Sequence, residues 1–348
     1  MARAYMTEAE SETTRGAVDG RPGPAPSAAA RLRRAIARAG GEGRWRRGLL
    51  LAVLAVLAAM VMALHSRVPN RVGNLGSLLE TFLPWAGLAI PLLLLAALLR
   101  RSATALVALL LPAVVWADMF GGLVTDKRAT GGDLTVVTHN VNADNPDPAG
   151  TARQLARSGA EVLSLQELPG RSVAQYEKAL ADAYPHHAVL GTVGLWSKYP
   201  IDDARPVDIG IGWTRAMRAT VATPRGDVAV YGAHLPSVRV RFEAGFTARQ
   251  RDVASDLLGE AIVAEPVGRV VLLGDLNGTM NDRALASVTS QMRSTQGAAG
   301  DGFGFSWPAS FPMTRIDQIM VKGVEPVSSW ALPPTGSDHL PLAASVSW

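Results

Sequence analysis

Two polar residues directly after an apolar run give the first chemical signal in the chain. The run Val270 to Leu273 is typical of a buried strand, and Gly274 ends it where the backbone can turn closely. Asp275 and Asn277 follow and project to the same side, because side chains alternate along an extended segment. A carboxylate beside a carboxamide suits a hard cation and a phosphate oxygen. The alternative is that both residues simply form the turn after the strand.

Polar residues with similar chemistry stand at or beside the ends of other predicted strands. They are Asn140, Glu167, His234, Asp317, Asp338 and His339. If those strands lie side by side in two sheets, their ends converge on one cleft. The chain has no cysteine, which excludes disulfides, thiolate metal sites and a cysteine nucleophile. A metal would therefore have oxygen or imidazole ligands, which favours Mg2+, Mn2+ or Ca2+ over structural zinc.

The elements that must position these residues begin at Leu134. Short β-rich runs there alternate with helical stretches and Gly/Pro turns. Strands are predicted at Leu134 to Asn140, Val162 to Gln166, Val193 to Ser197, Ala216 to Ala222, Val228 to Ala233, Val270 to Gly274, Ile316 to Val321 and Ala343 to Trp348. Helices are predicted at Pro148 to Ser158, Val173 to Ala183 and Thr247 to Val263. The pattern indicates two packed sheets with helices on their outer faces.

The preceding third of the chain is much more apolar than a soluble domain. Residues 1–47 are rich in Ala, Gly, Pro, Ser and Arg and are interpreted as a disordered, Arg-rich cytoplasmic tail. Three apolar runs follow, at Gly48 to Leu64, Leu78 to Leu99 and Ala103 to Val124. Each approaches the ~20 residues that cross a bilayer, which predicts three transmembrane helices over residues 48–124. The alternative for the first run is a cleaved signal peptide.

Charge predicts how these spans are oriented. Arginines precede the first run, and Arg100 and Arg101 separate the second from the third, so both groups are expected in the cytoplasm. Three spans then place residues 134–348 outside the cytoplasm, in a multi-pass protein of the cell membrane. Glu80 and Asp118 fall near the outer ends of their spans. They are expected either to reach water or to face the catalytic part.

Net charge also bears on the partner. The chain carries +4 overall with a pI near 9.7, which alone suggests nucleic-acid binding. However, residues 1–133 hold 16 Lys and Arg against 9 Asp and Glu, whereas residues 134–348 hold 18 against 21. The predicted catalytic part is therefore slightly acidic and lacks the positive field that duplex binding exploits. Nucleic acid is disfavoured as a partner, and membrane lipids are favoured.

The polar segments together, in their order along residues 134–348, resemble the exonuclease–endonuclease–phosphatase superfamily, which includes deoxyribonuclease I and neutral sphingomyelinases. The resemblance rests on Asn140, Gln166-Glu167, Gly274-Asp275-Leu276-Asn277, Asp317 and Ser337-Asp338-His339. It implies a four-layer α/β/β/α sandwich, here preceded by three transmembrane helices. It also implies a metal-dependent phosphoric ester hydrolase with Mg2+ or Mn2+ as cofactor.

The resemblance assigns roles to the metal site and the nucleophile. Glu167 is the expected main ligand of the cation, with Asn140 and Asp338 close to it. Asp275 is expected to orient or deprotonate the attacking water, and Asn277 to hold a phosphate oxygen. Such groups act on the negative charge that phosphoryl transfer places on the non-bridging oxygens.

Two histidines complete the implied catalytic set. His339 is expected to stabilise the charge on phosphorus, with Asp317 fixing its imidazole and raising its pKa. His234 matches a second histidine of nuclease-like and sphingomyelinase-like members. The segment Gly212 to Thr223 offers it no carboxylate partner, only Arg215 and Arg218. Without such a partner the sequence does not support a proton-relay role for His234, which is expected either to contact the phosphate or to be satisfied by backbone.

Basic residues near the site are the expected contacts to substrate. Arg239 and Arg241 follow the His234 strand, and Arg215 and Arg218 precede it. Arginines in such a run commonly form a solvated face. The functional alternative is contact with anionic headgroups or a lipid-linked diphosphate.

Because this fold supports many phosphoesterase activities, the fold alone does not identify the substrate. The predicted transmembrane anchor is the feature that distinguishes the possible substrates. Three spans before such a domain also resemble actinobacterial membrane proteins of the VanJ type, associated with teicoplanin-type glycopeptide resistance. That resemblance implies action on undecaprenyl diphosphate or another lipid-linked cell-wall precursor, to which tethering would give a high effective concentration. The alternatives are an extracytoplasmic nuclease or phospholipid phosphodiesterase and, outside catalysis, a binding module.

Overall fold

The computed structural model of the chain describes residues 48–71, 73–237 and 245–348, without the side chains of residues 245–248. The predicted Arg-rich tail, residues 1–47, lies outside the described residues, as do Arg239 and Arg241. Two six-stranded mixed sheets form the part after residue 133.

The first sheet has the strand order β11-β12-β1-β2-β4-β3. Its strands are β1 (Leu134–Asn140), β2 (Val162–Gln166), β3 (His186–Leu190), β4 (Val193–Ser197), β11 (Glu325–Ala331) and β12 (Leu342–Ser347). The central strands β1 and β2 run parallel, and β1 pairs with β12 in the antiparallel sense. Parallel neighbours bring their carboxyl ends to the same edge, so Asn140 and Gln166 are paired there.

The second sheet has the order β5-β6-β7-β8-β10-β9. Its strands are β5 (Ile201–Pro206), β6 (Ala216–Thr223), β7 (Gly226–His234), β8 (Val270–Asp275), β9 (Arg293–Ser294) and β10 (Asp317–Lys322). Strands β7 and β8 run parallel and end together at His234 and Asp275. Strand β10 runs the other way and begins beside that end, where Asp317 pairs with Asp275.

Side-chain alternation builds three apolar layers from these sheets. Val136 and Val162 point inward and meet Val230 and Val271 of the second sheet in the core between the sheets. Residues of opposite parity in the first sheet pack under helices α6 (Pro148–Ala156) and α7 (Gly170–Leu180). The outer face of the second sheet packs under α8 (Gly245–Val263) and the short helix α9 (Ala286–Thr289). A short helix α10 (Thr295–Ala299) lies beside β11. The predicted two-sheet sandwich with outer helices is confirmed.

Helices from residues 49–120 form a separate cluster at one side of the sandwich. They are α1 (Leu49–Ala63), α2 (Leu75–Thr81), α3 (Ala89–Leu99), α4 (Ala103–Ala108) and α5 (Leu110–Phe120). A 3-10 segment, Leu83–Leu88, leads into α3. Small residues mediate the contact at one end, where Ala55, Ala97 and Ala105 are fully or almost fully buried. We call residues 49–124 the helical unit.

The described part contains one helix that is long and apolar enough to cross a membrane, Ala103–Leu123. The segments Leu75–Thr81 and Leu83–Leu99 meet the same requirement only when taken together, and they are bent by 72°. Helix α1 has only 15 residues. Three complete spans are therefore not confirmed.

The prediction of one continuous helix from Leu78 to Leu99 is wrong because of Pro84. Proline has no N–H to donate to the carbonyl four residues earlier, and it disfavours helical backbone at the preceding residue. Helix α2 accordingly ends at Thr81. The carbonyl of Glu80 accepts a hydrogen bond from the Thr279 hydroxyl of the sandwich instead, at 3.0 Å. The Glu80 side chain is buried, contrary to the expectation that it reaches water, whereas Asp118 is exposed.

Candidate active site

The candidate site lies where central strands of both sheets end at the same edge. His234, Asp275 and Asp317 sit side by side on three adjacent strands of the second sheet. Asn140 faces them from the end of β1 and donates from Nδ2 to Asp275 Oδ2 at 3.0 Å. This single hydrogen bond joins the two sheets at the site, so the predicted convergence of distant residues is observed.

His339 and Asp317 form a buried pair. Nδ1 of His339 lies 2.8 Å from Oδ2 of Asp317, and both side chains are at least nine-tenths buried. Burial alone would lower the pKa of His339, but the charge and hydrogen bond of Asp317 raise it to about 10. Burial conversely opposes ionisation of Asp317, and the imidazolium outweighs it and lowers the pKa of Asp317. His339 is thus held as a cation with Nε2 directed away from Asp317.

Ser337 fixes the loop that carries His339. Its hydroxyl donates to the carbonyl of Asn140 at 2.7 Å and accepts from the backbone N–H of His339 at 3.1 Å. The loop before β12 is therefore tied to the end of β1, which explains why the Ser-Asp-His sequence is placed at the site.

Asp275 is held by two donors. Oδ2 accepts from Asn140, and Oδ1 accepts from the backbone N–H of Asn277 at 2.9 Å. Burial and the neighbouring Asp317 charge raise the pKa of Asp275 to about 7, against the opposing effect of His339. A carboxyl with such a pKa can accept a proton near neutral pH.

Asn277 has a left-handed backbone with φ of 47°, a conformation that asparagine tolerates better than most residues. Its Nδ2 donates to the carbonyl of Leu235 at 2.9 Å, which fixes the amide. Because a carboxamide has two N–H donors, the second remains available to a ligand.

Glu167 and His234 face each other across the cleft floor. Glu167 follows β2 with a φ of 58°, and its carboxylate is 33% exposed. Oε1 lies 3.6 Å from His234 Nε2, and Oε2 accepts from the N–H of Ala143 at 3.2 Å. Asp275 Oδ2 is 3.7 Å from the same nitrogen of His234. The carboxylates near His234 thus come from β2 and β8, not from the segment Gly212 to Thr223 where a partner was sought.

His234 is neutral in this environment. Burial, then the positive charges of Arg215 and His339, lower its pKa well below the usual value. The two histidines therefore differ in charge, because only His339 has a carboxylate bonded to its ring.

Asp338 lies at the exposed mouth of the site. Oδ1 accepts from Asn142 Nδ2 at 3.1 Å, and Oδ2 lies 3.4 Å from Trp307 Nε1. Asn142 also donates its backbone N–H to Asn140 Oδ1 at 3.0 Å. Asn142 thus links the two predicted secondary ligands, a role that its sequence position alone did not indicate.

The donor set fits a hard divalent cation. Glu167, Asn140 and Asp338 offer carboxylate and amide oxygens, which Mg2+ and Mn2+ prefer. A second group, Asp275, Asp317 and His339, has potential ligand atoms within 4.8 Å of one another. There the imidazole is bonded to Asp317 and protonated, so it is a poor ligand. The partly exposed Glu167 is the better anchor for a cation.

The predicted arginines have different positions. Arg215 lines the cleft, and its role as a substrate contact stays a prediction. Arg218 does not line the cleft: it is buried against Glu265, with Nε and Nη2 donating to the carboxylate at 2.9 and 2.7 Å. Its prediction as a substrate contact is wrong, because strand alternation turns it to the outer face of the sheet. For Arg239 and Arg241 the assignment stays a prediction.

A cleft of about 480 Å3 opens above these groups. Glu167, Arg215, His234, Asp275, Asn277 and His339 line it on the sandwich side. Ser77, Leu78, Thr81 and Phe82 line it from the helical unit. Residues outside the sandwich therefore complete the cleft, which the sequence did not indicate.

The family description "Endonuclease/Exonuclease/phosphatase family" matches residues 137–339, more than half of the chain. The chain belongs to this family. No curated protein matches the chain in sequence. The family comprises hydrolases, so the chain is a hydrolase of the nuclease, phosphatase or phosphodiesterase type.

Solved structures of the family share the fold. Humanized D. rerio TDP2 is 19% identical with a TM-score of 0.52, covering 62% of this chain and 99% of that one. A family protein from Bacteroides vulgatus is 17% identical with a TM-score of 0.52, covering 62% and 99%. Beta toxin from Staphylococcus aureus is 15% identical with a TM-score of 0.50, covering 61% and 99%. At these identities the similarity establishes the fold alone.

Proposed function

We propose that the chain is a divalent-metal-dependent phosphoesterase that acts at a membrane surface on a lipid-linked phosphate. The observation that carries the membrane part is the location of exposed apolar side chains. Among described residues, the large ones concentrate between Leu49 and Val124. The exceptions are Trp213, Val253, Val263 and Phe311. Water-exposed apolar surface on this scale is rare in soluble proteins, so a bilayer is the expected cover.

Mg2+ or Mn2+ would be held by Glu167 with Asn140 and Asp338. When bound, the cation would neutralise charge on a phosphate oxygen and polarise the phosphorus. Asn142 keeps two of these ligands in place through its hydrogen bonds to Asn140 and Asp338.

Asp275 is the proposed acceptor of the proton from the attacking water. The two N–H donors on its carboxylate fix its orientation. Its pKa near 7 allows it to be ionised before attack and to hold the proton afterwards.

The other groups act on the phosphate. Protonated His339 would donate from Nε2 to an oxygen that gains charge in the transition state, and Asp317 maintains that protonation. The free N–H of Asn277 would hold a second oxygen. Neutral His234 would donate one further hydrogen bond, and the Arg215 guanidinium would supply positive charge at the rim.

For the substrate, we propose undecaprenyl diphosphate or a related lipid-linked cell-wall precursor. The catalytic part would face the outside of the cytoplasmic membrane, and the N-terminus the cytoplasm, as the arginine distribution predicts. Water would attack the terminal phosphorus and break its bond to the bridging oxygen, which yields inorganic phosphate and the lipid monophosphate. This removal of phosphate is the proposed link to teicoplanin-type resistance of the VanJ kind.

A nuclease or phospholipid phosphodiesterase is the alternative within the same family. The slightly acidic charge of residues 134–348 disfavours the nuclease. Nuclease activity would fall steeply with salt and would not depend on bilayer presentation, whereas a lipid phosphatase would require a detergent or bilayer.

The deciding experiment is phosphate release from undecaprenyl diphosphate by the full-length protein in detergent, with Mg2+ or Mn2+. DNA and sphingomyelin are assayed in parallel. At a metal concentration that is half-saturating for the unaltered protein, Glu167→Gln and His339→Gln should each lower phosphate release sharply. The matched controls are Glu325→Gln and His187→Gln, which alter exposed residues on the outer strands β11 and β3.

Metal-dependent release that falls sharply only in the two site variants would support the proposal. Cleavage of DNA or sphingomyelin without phosphate release from the lipid would replace the substrate and leave the site assignment intact. Orientation is tested separately with a reporter fused after Trp348, and activity of a cytoplasm-specific reporter there would contradict the proposed topology.

A further inference from the structure

One wall of the cleft belongs to the helical unit. It contains the apolar Leu78 and Phe82 beside the polar Ser77 and Thr81, and Leu78 is 37% exposed. Trp307 and Ile316 of the sandwich continue the apolar surface on the same cleft. The cleft therefore combines polar groups that suit phosphate with an apolar surface that phosphate alone does not require.

The wall is fixed to the sandwich by hydrogen bonds to backbone that the Pro84 break leaves free. Thr279 donates to the carbonyl of Glu80 at 3.0 Å, and Thr314 donates to the carbonyl of Thr81 at 3.1 Å. Trp85 Nε1 donates in return to the carbonyl of Met313 at 2.7 Å. Three bonds within a few residues hold α2 at a set distance from the reacting groups.

Arg251 joins the wall directly to a catalytic residue. Its side chain is fully buried and pairs with Asp282 at 2.8 Å. Nη1 donates to the carbonyl of Asn277 at 2.7 Å, and Nη2 donates to Ser77 Oγ on α2 at 3.2 Å. A buried guanidinium that bonds to both elements holds the wall at a fixed position relative to Asn277.

Two neighbouring cavities extend the apolar surface away from the site. A cavity of about 310 Å3 shares Thr81 and Thr314 with the cleft and is lined further on by Phe120 and Phe303. Another of about 490 Å3 shares Pro84 and Phe303 with the second and reaches Leu88 and Ile90. The three cavities thus adjoin one another through shared lining residues, and the last is lined by residues of α3 and α5.

We infer that the wall formed by Leu78 and Phe82 binds the hydrocarbon chain of the substrate next to its phosphate. The site would thus select phosphate esters of long apolar alcohols over small water-soluble ones. This inference rests on the proposed function for its reaction but concerns binding, so the two can fail separately. An apolar chain in contact with Leu78 and Phe82 gains binding energy in proportion to the surface it buries.

Binding is measured by calorimetry with full-length protein in nanodiscs and Mg2+. The ligands are butyl-, hexyl- and decylphosphonate, whose carbon–phosphorus bond is not hydrolysed by an esterase. Affinity should rise with each lengthening of the chain. Leu78→Gln should weaken decylphosphonate binding by about tenfold and leave butylphosphonate within about twofold, since the lost contact is apolar.

The matched control is Leu75→Gln on the same helix, because Leu75 is 48% exposed and does not line the cleft. Leu78→Met, which keeps an apolar side chain of similar size, should retain the chain-length dependence. Thermal melting of each variant separates a loss of folding from a loss of binding.

Equal affinity for all three ligands in the unaltered protein would overturn the inference. So would an equal loss for short and long ligands in Leu78→Gln. Stronger binding of a dinucleotide than of decylphosphonate, lost on Phe82→Ala, would show that the wall stacks bases instead. Preserved chain-length dependence without hydrolysis of undecaprenyl diphosphate would refute the proposed reaction and retain the subsite.

Discussion

The sandwich and the helical unit use the same apolar residue types in opposite ways. In the sandwich, Leu163 and Leu272 are completely buried between layers. In the helical unit, Leu92 is 68% and Leu110 is 64% exposed. Burying a leucine is worth roughly 1.5–3 kcal/mol, so the exposed leucines of the helical unit form the surface that the proposed bilayer would cover. Among the described residues of the sandwich, large apolar side chains are exposed at only a few positions.

The contact between the two regions is polar and aromatic. Arg283 donates to the carbonyls of Ser66 and Val68, and Phe303 packs within 6.3 Å of Phe120 and Trp116. The residues proposed for the reaction and those proposed to contact the membrane therefore belong to different regions, although both regions line the cleft. Variants of the catalytic groups should leave membrane association unchanged, and the following predictions test the two regions in turn.

The largest effect is expected from His339→Gln. Loss of the cationic donor should lower kcat by about a thousandfold, the typical cost of removing a group that stabilises transition-state charge. Membrane association, measured by flotation with liposomes, should not change. The control His187→Gln should retain full activity. A comparable loss in both variants would mean that His339 is not a catalytic residue.

Asp317→Asn should act through the pKa of His339. In the unaltered protein Asp275 must lose its proton, so activity should rise with pH toward about 7. Protonated His339 is lost as pH rises through about 10, so activity should then decline. A bound cation would lower the pKa of Asp275 and so shift the acidic limb of the pH profile to lower pH.

Without the charge of Asp317, the pKa of His339 should fall and the alkaline limb should move to lower pH, with about a hundredfold loss in kcat near pH 9. The pH profile of kcat/KM and an NMR titration of the His339 ring measure this. An unchanged alkaline limb in Asp317→Asn would contradict the role of the pair.

Removal of metal should stop the reaction reversibly. A chelator should abolish activity, and Mg2+ or Mn2+ should restore it. Glu167→Gln should raise the metal concentration for half-maximal activity by about tenfold or more, because the anionic ligand becomes neutral. Glu325→Gln is the control. Full activity of the chelated protein would exclude the proposed cofactor.

The smallest effect is expected at the boundary between the two regions. Thr279→Val removes the donor to the Glu80 carbonyl and should lower the free energy of unfolding by about 1 kcal/mol. Thr223→Val, which removes an exposed turn bond to Gly226, is the control and should cost less. Denaturant titration in detergent measures both. Equal losses of unfolding free energy in the two variants would show that the hydrogen bond from Thr279 to Glu80 stabilises the protein no more than an exposed turn bond does.

Sequence reasoning located the central strands and missed the edges. All eight predicted strands exist, with bounds that agree within two residues. The four missed strands, β3, β5, β9 and β11, are the edges of the two sheets. A largely exposed edge strand such as β5 has no continuous apolar run, so its sequence pattern is indistinguishable from that of a loop.

Local pattern was also insufficient where side chains contact distant segments. The strand ends that carry Asp275 and His339 were predictable, because each polar residue follows an apolar run or belongs to a short motif. Arg251 was not, since it lies on a basic stretch that is usually a solvated face, and only the fold shows it buried. Arg218 was wrongly assigned to substrate, because its partner, Glu265, lies 47 residues away and the local sequence does not reveal it.

The hydrogen bonds that the break at Pro84 makes possible between the helical unit and the sandwich have a consequence for any shortened form of the protein. Cutting the chain between Val124 and Leu134 would leave the proposed catalytic groups of the sandwich in place. It would also strip the partners from Thr279 and Thr314 and bare the rings of Phe303 and Phe305, which now stack 5.1 Å apart beside Trp85 and Trp116. In such a fragment the proposed reactive groups would lie in an open cleft with an exposed aromatic surface along one edge, which favours aggregation. The fragment would be expected to hydrolyse small phosphate esters but to lose selectivity for the group that the phosphate is attached to.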